Sequence, residues 1–435
     1  MQASDALIRS KVVTYRWLIF SILSLCYVLV YFHRLCPAVL AVDLMRDLKA
    51  GGALTGVLSA AYFYSYAIMQ LPAGLLADSW GARKTITLFF TIACVGSVIL
   101  GFSTSIFPAI VGRTLVGIGV AMLFAPTLKI ISEWFHANEF AFMMGILMAM
   151  GGIGSLTAAA PLVWLKGMIG WRNVFLVIGL LTFFLGSSVW VFVRNRPSDF
   201  GWPSPGSATA KPTIEKKSQG LIHGAKTVLS TFHFWPLAIW FFCDCGVFFT
   251  LGGLWGGPYL LHVYQMEPVE SGRILSMIAL GMVAGSPFLS YLSDRIFKGR
   301  KPVLVFASGA MVVIMGVFAC WTDGIPQAGL YLLFFLLSVF SSAIVTIGFT
   351  ANKELFPVAI SGTATGLINL FPFLGGAIFQ PVLGSLLESY GREGDMFTLA
   401  GYRAAFLFLL GSAGIAFVAS LFLKETLTKK GPETN

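Results

Sequence analysis

Long apolar runs separated by short polar stretches recur along the whole chain. They predict helices at about 16–45, 54–77, 85–103, 108–132, 141–165, 172–193, 234–262, 269–293, 302–322, 328–351, 362–388 and 401–423. Each run is long enough to cross a hydrocarbon layer of ~30 Å. The expected fold is therefore all-α and integral to a membrane, with twelve transmembrane helices in two six-helix halves, residues 1–193 and 234–435. Between them, residues 194–233 carry Arg194, Arg196, prolines from Pro197 to Pro212, and Lys216-Lys217, which reads as a polar linker. Its end, Ser218 to Phe232, has the pattern of either a short amphipathic surface helix or a plain tether.

The polar stretches repeat as well. Gly74-Leu-Leu-Ala-Asp78-Ser-Trp-Gly81-Ala-Arg83-Lys84 lies between the second and third runs. A degenerate copy, Ser290-Tyr-Leu-Ser-Asp294-Arg295-Ile-Phe-Lys298-Gly299-Arg300-Lys301, lies between the eighth and ninth, half a chain further on. Glu133, Phe135, Gly145 and Gly154 recur at one shared offset as Glu354, Phe356, Gly366 and Gly375. Such a duplication in an apolar chain marks a secondary transporter, whose substrate site lies between the repeats near the bilayer midplane.

Composition narrows the classes. With 57% hydrophobic and 11% charged residues, the chain could not hide its apolar surface in a water-soluble core. The net charge of +10 sits in short clusters beside the apolar runs, which excludes a nucleic-acid partner and fits cytoplasmic loops. Most of the 29 Lys and Arg fall on the side of the two termini, so both termini are expected in the cytoplasm. No small-residue cleavage site follows Arg9, Lys11 and Arg16, and the first run reads as a retained helix. The six cysteines lie in apolar runs; Cys243 and Cys245, roughly 200° apart around a helix, cannot share a metal. No phosphate-cradling loop, nucleophile constellation or metal-spaced histidine set is present, so neither an enzyme nor a cofactor is expected.

Charges inside an apolar span are costly and mark an ion or substrate path. Arg34 shares one helical face with Tyr27 and Tyr31, and a second stripe, Thr55, Ser59, Tyr62, Tyr66 and Gln70, lies on the next helix. These faces either glue helices together or line a cavity in which Arg34 captures a carboxylate or phosphate. Asp244, near the middle of the seventh span with Trp240 one turn before it, could pair with an arginine, carry a proton, or bind a substrate ammonium. Low dielectric favours a protonated carboxyl, as a proton-coupled carrier requires. His33 beside Arg34 reads as a titrating group or a packing neighbour. In the eleventh span Asn369 and, more weakly, Gln380 share a face as cavity hydrogen-bonders, with Pro372 expected to kink the helix.

The stretch Gly74 to Lys84, with Asp78, Gly81 and Arg83 in place, resembles the cytoplasmic signature of the major facilitator superfamily. Arg113-Thr-Leu-Val-Gly117-Ile-Gly119 resembles that superfamily's fourth-helix R-x-x-x-G-x-G signature, and the resemblance covers the whole chain. It implies a proton-coupling role for Arg113, beside an equally open structural one. Asp78, Arg83 and Asp294 read as conformational latches, and Lys129 with Glu133 and Lys353 with Glu354 read as loop salt bridges or gate latches. Tyr31-Phe-His33-Arg34 resembles the first-helix arginine segment of anion:cation symporters and sugar-phosphate permeases, where the arginine binds the anionic substrate. Organophosphate exchangers carry a second arginine in the seventh helix; Asp244 stands here instead, against phosphate monoesters and in favour of zwitterions such as amino acids or small peptides. The run Gly145 to Pro161 lacks the G-P-x-x-G-G element of drug/proton antiporters.

The expected function is alternating-access, proton-coupled import of a small organic anion or zwitterion. Arg34, Tyr31, Tyr62, Tyr66, Asp244 and Asn369 would bind substrate, and Asp244 and Arg113 would couple protons. The expected setting is a monomer among lipids of a bacterial inner membrane. Alternatives are an exchanger or exporter of similar solutes, or a non-transporting receptor with the carrier fold.

Overall fold

The computed structural model describes residues 2–136, 138–202 and 221–427. The helices in order are α1 (Gln2–Leu35), α2 (Pro37–Asp47), α3 (Gly52–Leu76), α4 (Ser79–Phe102), α5 (Ile106–Trp134), α6 (Phe140–Thr157) and α7 (Ala160–Phe192). After α8 (Leu221–Ser230) come α9 (Phe234–His262), α10 (Pro268–Ile296), α11 (Arg300–Cys320), α12 (Gln327–Leu355), α13 (Ile360–Ser389) and α14 (Leu399–Leu421). A two-stranded hairpin, Arg392–Glu393 with Met396–Phe397, joins the last two. Gly170, at φ 75° and ψ 153°, breaks the long α7 into two passages, a backbone shape that a residue with a Cβ rarely adopts. The part of α7 before Gly170 continues α6 across a turn at Ala158 and Ala159. Among the described residues ten helices are long and apolar enough to cross a membrane. Helices are what such apolar runs must form, because in lipid every backbone N–H and C=O has to be satisfied within the segment.

The first run is shorter than its apolar pattern suggests. Pro37 has no N–H to give the His33 carbonyl, so the helix expected over 16–45 ends at Leu35 and restarts as α2. Elsewhere single π-turns interrupt the spans: Ala77–Gly81, Leu251–Trp255, Leu292–Ile296 and Ile344–Gly348. Two of them hold the repeated polar stretches, around Asp78 and around Asp294.

By internal contacts the chain forms two units, one of residues up to 36 with 61–216 and one of residues 37–60 with 217 onward. In the first unit α1 packs on α6, and α4 packs on α5 and on α7. In the second, α9 packs on α13, α10 on α12, and α11 on α14. The pairings α1 with α6 and α9 with α13 express the repeat in three dimensions. Gly154 places α6 directly against the Val28 backbone carbonyl, and Gly375, its repeat partner, places α13 against the Phe242 carbonyl. Phe135 and Phe356, another repeat pair, end their helices in the same extended conformation, at φ −119° with ψ 153° and 149°.

Small residues are how membrane helices approach closely, since lipid offers no hydrophobic drive between them. Gly154→Val should therefore lower the melting temperature in detergent by many degrees or abolish folding. Gly145→Val, on the same helix but with nothing within 4 Å of an added Cβ, should leave it unchanged. Fluorescence-detected size-exclusion after a heat ramp reads both.

Residues 37–60 pack wholly in the second unit. α2 lies on α9, where Gly257 sits against the Ala38 carbonyl. At the start of α3, Gly56 abuts the Gln380 carbonyl and the Pro381 backbone, Gly52 and Gly384 face each other, and the Gly52 N–H donates to the Glu388 carboxylate. Arg392 braces that carboxylate at 3.3 Å and lies over the Phe397 ring.

Candidate functional site

In the first unit the polar faces of α1, α3 and α5 meet at two buried guanidinium groups. Arg34, 6% exposed, has its guanidinium carbon 4.6 Å from the Tyr31 ring centre and 4.9 Å from that of Tyr66. Tyr66 stacks on Tyr62 at 5.7 Å, and Tyr27 packs edge-on to Tyr31 at 5.3 Å. Arg34 is thus surrounded by phenols, whose ring faces attract a cation without neutralising it. The neighbouring helices make room for these rings: Gly151 of α6 lies against Tyr31, and Gly117 of α5 against the Tyr62 backbone.

Arg113, 2% exposed, lies over the opposite end of the pair, 4.9 Å from the Tyr62 ring centre. Its Nη1 donates to the His33 carbonyl at 2.8 Å. That carbonyl is the one whose helical partner would be the absent N–H of Pro37, so the proline break in α1 creates the acceptor that positions Arg113. The Cys36 thiol lies against the same guanidinium and reaches the same carbonyl at 3.6 Å. Arg113 Nε and Nη2, and both ring nitrogens of the fully buried His33, have no hydrogen-bond partner among the described residues.

In the second unit Asp244 of α9 is 2% exposed and accepts a hydrogen bond from the Ser341 hydroxyl of α12 at 2.9 Å. Among the described residues no Lys or Arg comes within ion-pair distance of it. Trp240, one turn earlier, points elsewhere, its indole N–H donating to Ser308 of α11 at 2.6 Å. Asn369 sits at a turn inside α13, three residues before Pro372, where its own N–H closes on the Thr365 carbonyl. Gln380, expected to reach a cavity, instead uses its side-chain amide on the Phe249 carbonyl at 2.8 Å, while Trp255 donates to its backbone oxygen. Thr55 and Ser59 belong to the second unit and Tyr62 and Tyr66 to the first, so the polar stripe of α3 serves both.

The latch residues separate into pins and clusters. Arg83 donates from Nε to the Trp190 carbonyl at 2.9 Å and stacks on that indole at 4.3 Å, while its N–H bonds the Asn195 side chain. Asp294 and Glu354 converge on Arg300, at 2.7 Å and 3.5 Å. Glu425 accepts from the Arg300 and Lys301 N–H groups, capping α11. Glu133 is half-buried, one turn from Lys129, whose ammonium bonds the Ala77 carbonyl at 3.1 Å. The side chain of Asp78 lies outside the described residues. Sequence reasoning missed Arg16 with Glu139, which form a two-pronged pair at 2.9 and 3.0 Å, with Arg16 also over the Phe135 ring. Burial opposes the charge of Glu139, but the His136 N–H and Arg16 outweigh it and hold the carboxyl below its ordinary range. The available signal was a basic residue at the edge of the first span and a lone carboxylate in the loop before the fifth.

A family model described as Major Facilitator Superfamily matches residues 23–272 and 242–435. A probable sulfoacetate transporter of Cupriavidus necator is 23% identical, over 96% of this chain and 96% of its own. A probable galactarate/D-glucarate transporter of Escherichia coli (strain K12) is 25% identical, over 95% and 96%. The crystal structure of a bacterial homologue of the human lysosomal transporter Spinster superposes with a TM-score of 0.75 at 18% identity, covering 94% of this chain and 98% of that one.

Proposed function

Because this chain belongs to the major facilitator superfamily, and is thus a multi-pass membrane transporter and not an enzyme, we propose that it carries a small organic acid of the sugar-acid or sulfonate class. The observation that carries the proposal is the setting of Arg34, a permanent positive charge buried among Tyr27, Tyr31, Tyr62 and Tyr66. A guanidinium is planar and always charged, and its fork of donors matches the geometry of a carboxylate or sulfonate. The probable sulfoacetate transporter and the probable galactarate/D-glucarate transporter that resemble this chain are named for acids of that kind.

In this reading Arg34 grips the acid group, and Tyr31, Tyr62 and Tyr66 shape the surface around it; Asn369 is a further substrate contact of the second unit. Asp244 supplies the proton step of an import cycle, since the hydrogen bond it accepts from the neutral Ser341 hydroxyl is compatible with either protonation state. Asp294 and Glu354 on Arg300, together with Asp78, Arg83 and Glu133, serve as latches of the alternating cycle. The transporter works as a monomer in a bacterial inner membrane with both termini cytoplasmic.

The test is uptake into liposomes holding the purified protein, with an acid exterior and a panel of labelled galactarate, glucuronate, sulfoacetate, amino acids and dipeptides. Uptake of the acids alone, abolished when the pH gradient is collapsed, is the expected result. Uptake confined to amino acids or dipeptides would move the substrate class to zwitterions and give Asp244 the ammonium.

A further inference from the structure

Inside the second unit the starts of α9 and α11 and the ends of α12 and α14 come together on one membrane face. A shallow crevice of about 280 Å³ lies among them, open on one side. It is too small and too open to enclose a solute, whose sites run to roughly 300–1,000 Å³. Whatever binds there lies across it. Its apolar part is Leu237, Leu304 and Leu423, all buried. Three basic side chains also line it: Lys301, half-buried, and His233 and Lys424, exposed. Among the described residues no carboxylate lines it. The nearby carboxylates are engaged elsewhere, Asp294 and Glu354 by Arg300, and Glu425 by the Arg300 and Lys301 backbone N–H groups. Neither Lys301 nor Lys424 has an ion pair among the described residues. The tail that carries Lys424 is pinned on its far side, where the Thr426 hydroxyl donates to Glu354 at 2.6 Å. Two ammonium groups are thus held beside an apolar surface with no counter-charge of their own.

We propose that this crevice binds an anionic phospholipid, with the phosphate on Lys301 and Lys424 and an acyl chain along Leu237, Leu304 and Leu423. The depth of the crevice argues for a lipid as the source of the anion. His233 stands between Phe232 and Trp235, 69% and 43% exposed, and the Trp235 indole N–H donates to the Leu229 carbonyl at 2.9 Å. Exposed aromatics with an apolar ring and a satisfied polar edge belong at the level of the lipid headgroups. Lysines at the ends of spans reach that level too, and basic pockets between helices there suit phosphate headgroups. A soluble anion would gain nothing from the leucines. Because Glu425 already occupies the first N–H groups of α11, the phosphate is held by side chains alone. The site is separate from the substrate path and does not depend on what the transporter carries.

The test is equilibrium binding to the purified full-length protein in micelles of an uncharged detergent, read by microscale thermophoresis. The probes are phosphatidylglycerol, phosphatidylcholine with the same acyl chains, and glycerol phosphate, which has the anionic phosphate without the chains. Phosphatidylglycerol should bind roughly thirtyfold more tightly than phosphatidylcholine, about fivefold for each of the two lysines. Lys301→Gln combined with Lys424→Gln should remove most of that preference. Lys226→Gln combined with Lys298→Gln takes the same charge from exposed positions outside the crevice and should leave the preference as in the wild type. Glycerol phosphate in large excess should not displace phosphatidylglycerol. Equal wild-type affinity for the two lipids would overturn the proposal, as would an equal loss in both double variants, which would mean diffuse surface attraction. A preference untouched in the Lys301 and Lys424 variant would place the lipid elsewhere. Displacement by glycerol phosphate would make this a site for a soluble phosphate instead. The wild-type comparisons stand even if a variant fails to fold.

Discussion

Arg34→Ala is expected to weaken substrate binding roughly 30- to 3000-fold, the range found when one partner of a buried charged pair is removed. Two losses combine in that figure. The carboxylate gives up charge-assisted hydrogen bonds, and it must then sit desolvated among the phenols of Tyr31, Tyr62 and Tyr66 with no opposite charge. Arg34→Lys separates the two. The ammonium restores charge but cannot stack flat between the Tyr31 and Tyr66 rings or present two parallel donors, so recovery should be partial. Fluxes with saturating and trace substrate would locate the defect in affinity. A wild-type rate from Arg34→Ala at trace substrate would remove Arg34 from the site.

Asp244→Asn should uncouple transport from the pH gradient while leaving the substrate path intact. Asn keeps the shape of the side chain and an oxygen for the Ser341 hydroxyl, so the packing of α9 on its neighbours is preserved. It cannot take up or release a proton. In vesicles with the membrane potential clamped, a gradient of one pH unit accumulates substrate about tenfold for each proton carried, since each tenfold is ~1.4 kcal/mol. The variant should settle at equal concentrations inside and out, yet still exchange internal for external substrate. Accumulation undiminished in Asp244→Asn would place the proton elsewhere.

The membrane fold was legible because its main determinant is compositional: spans that face lipid must be apolar throughout, and twelve such runs stand out without reference to contacts. The repeat was legible at Gly154 and Gly375 for a related reason, since only glycine lets those helix pairs touch backbone to backbone. Features made by backbone groups were hidden. Nothing in the order of residues announces that Pro37 frees the His33 carbonyl and that Arg113, far along the chain, fills it. Direction within a helix was equally hidden, as Trp240 and Gln380 show, since side chains placed on a polar face by spacing alone turned to Ser308 and to the Phe249 carbonyl. The pairing of Arg16 with Glu139 escaped because a surface carboxylate and a flanking arginine each look ordinary until a fold joins them.

Synthesis of the chain runs from one end, and the packing of residues 37–60 does not respect that order. These residues leave the ribosome early, yet Gly52 and Gly56 settle against Gln380, Pro381, Gly384 and Glu388, which emerge some three hundred residues later. At about 5–20 residues per second the wait is on the order of ten seconds to a minute. Throughout it the glycine-lined start of α3 has no resting place of its own. The first half can therefore enter the membrane early, but it cannot finish until the second half has been translated.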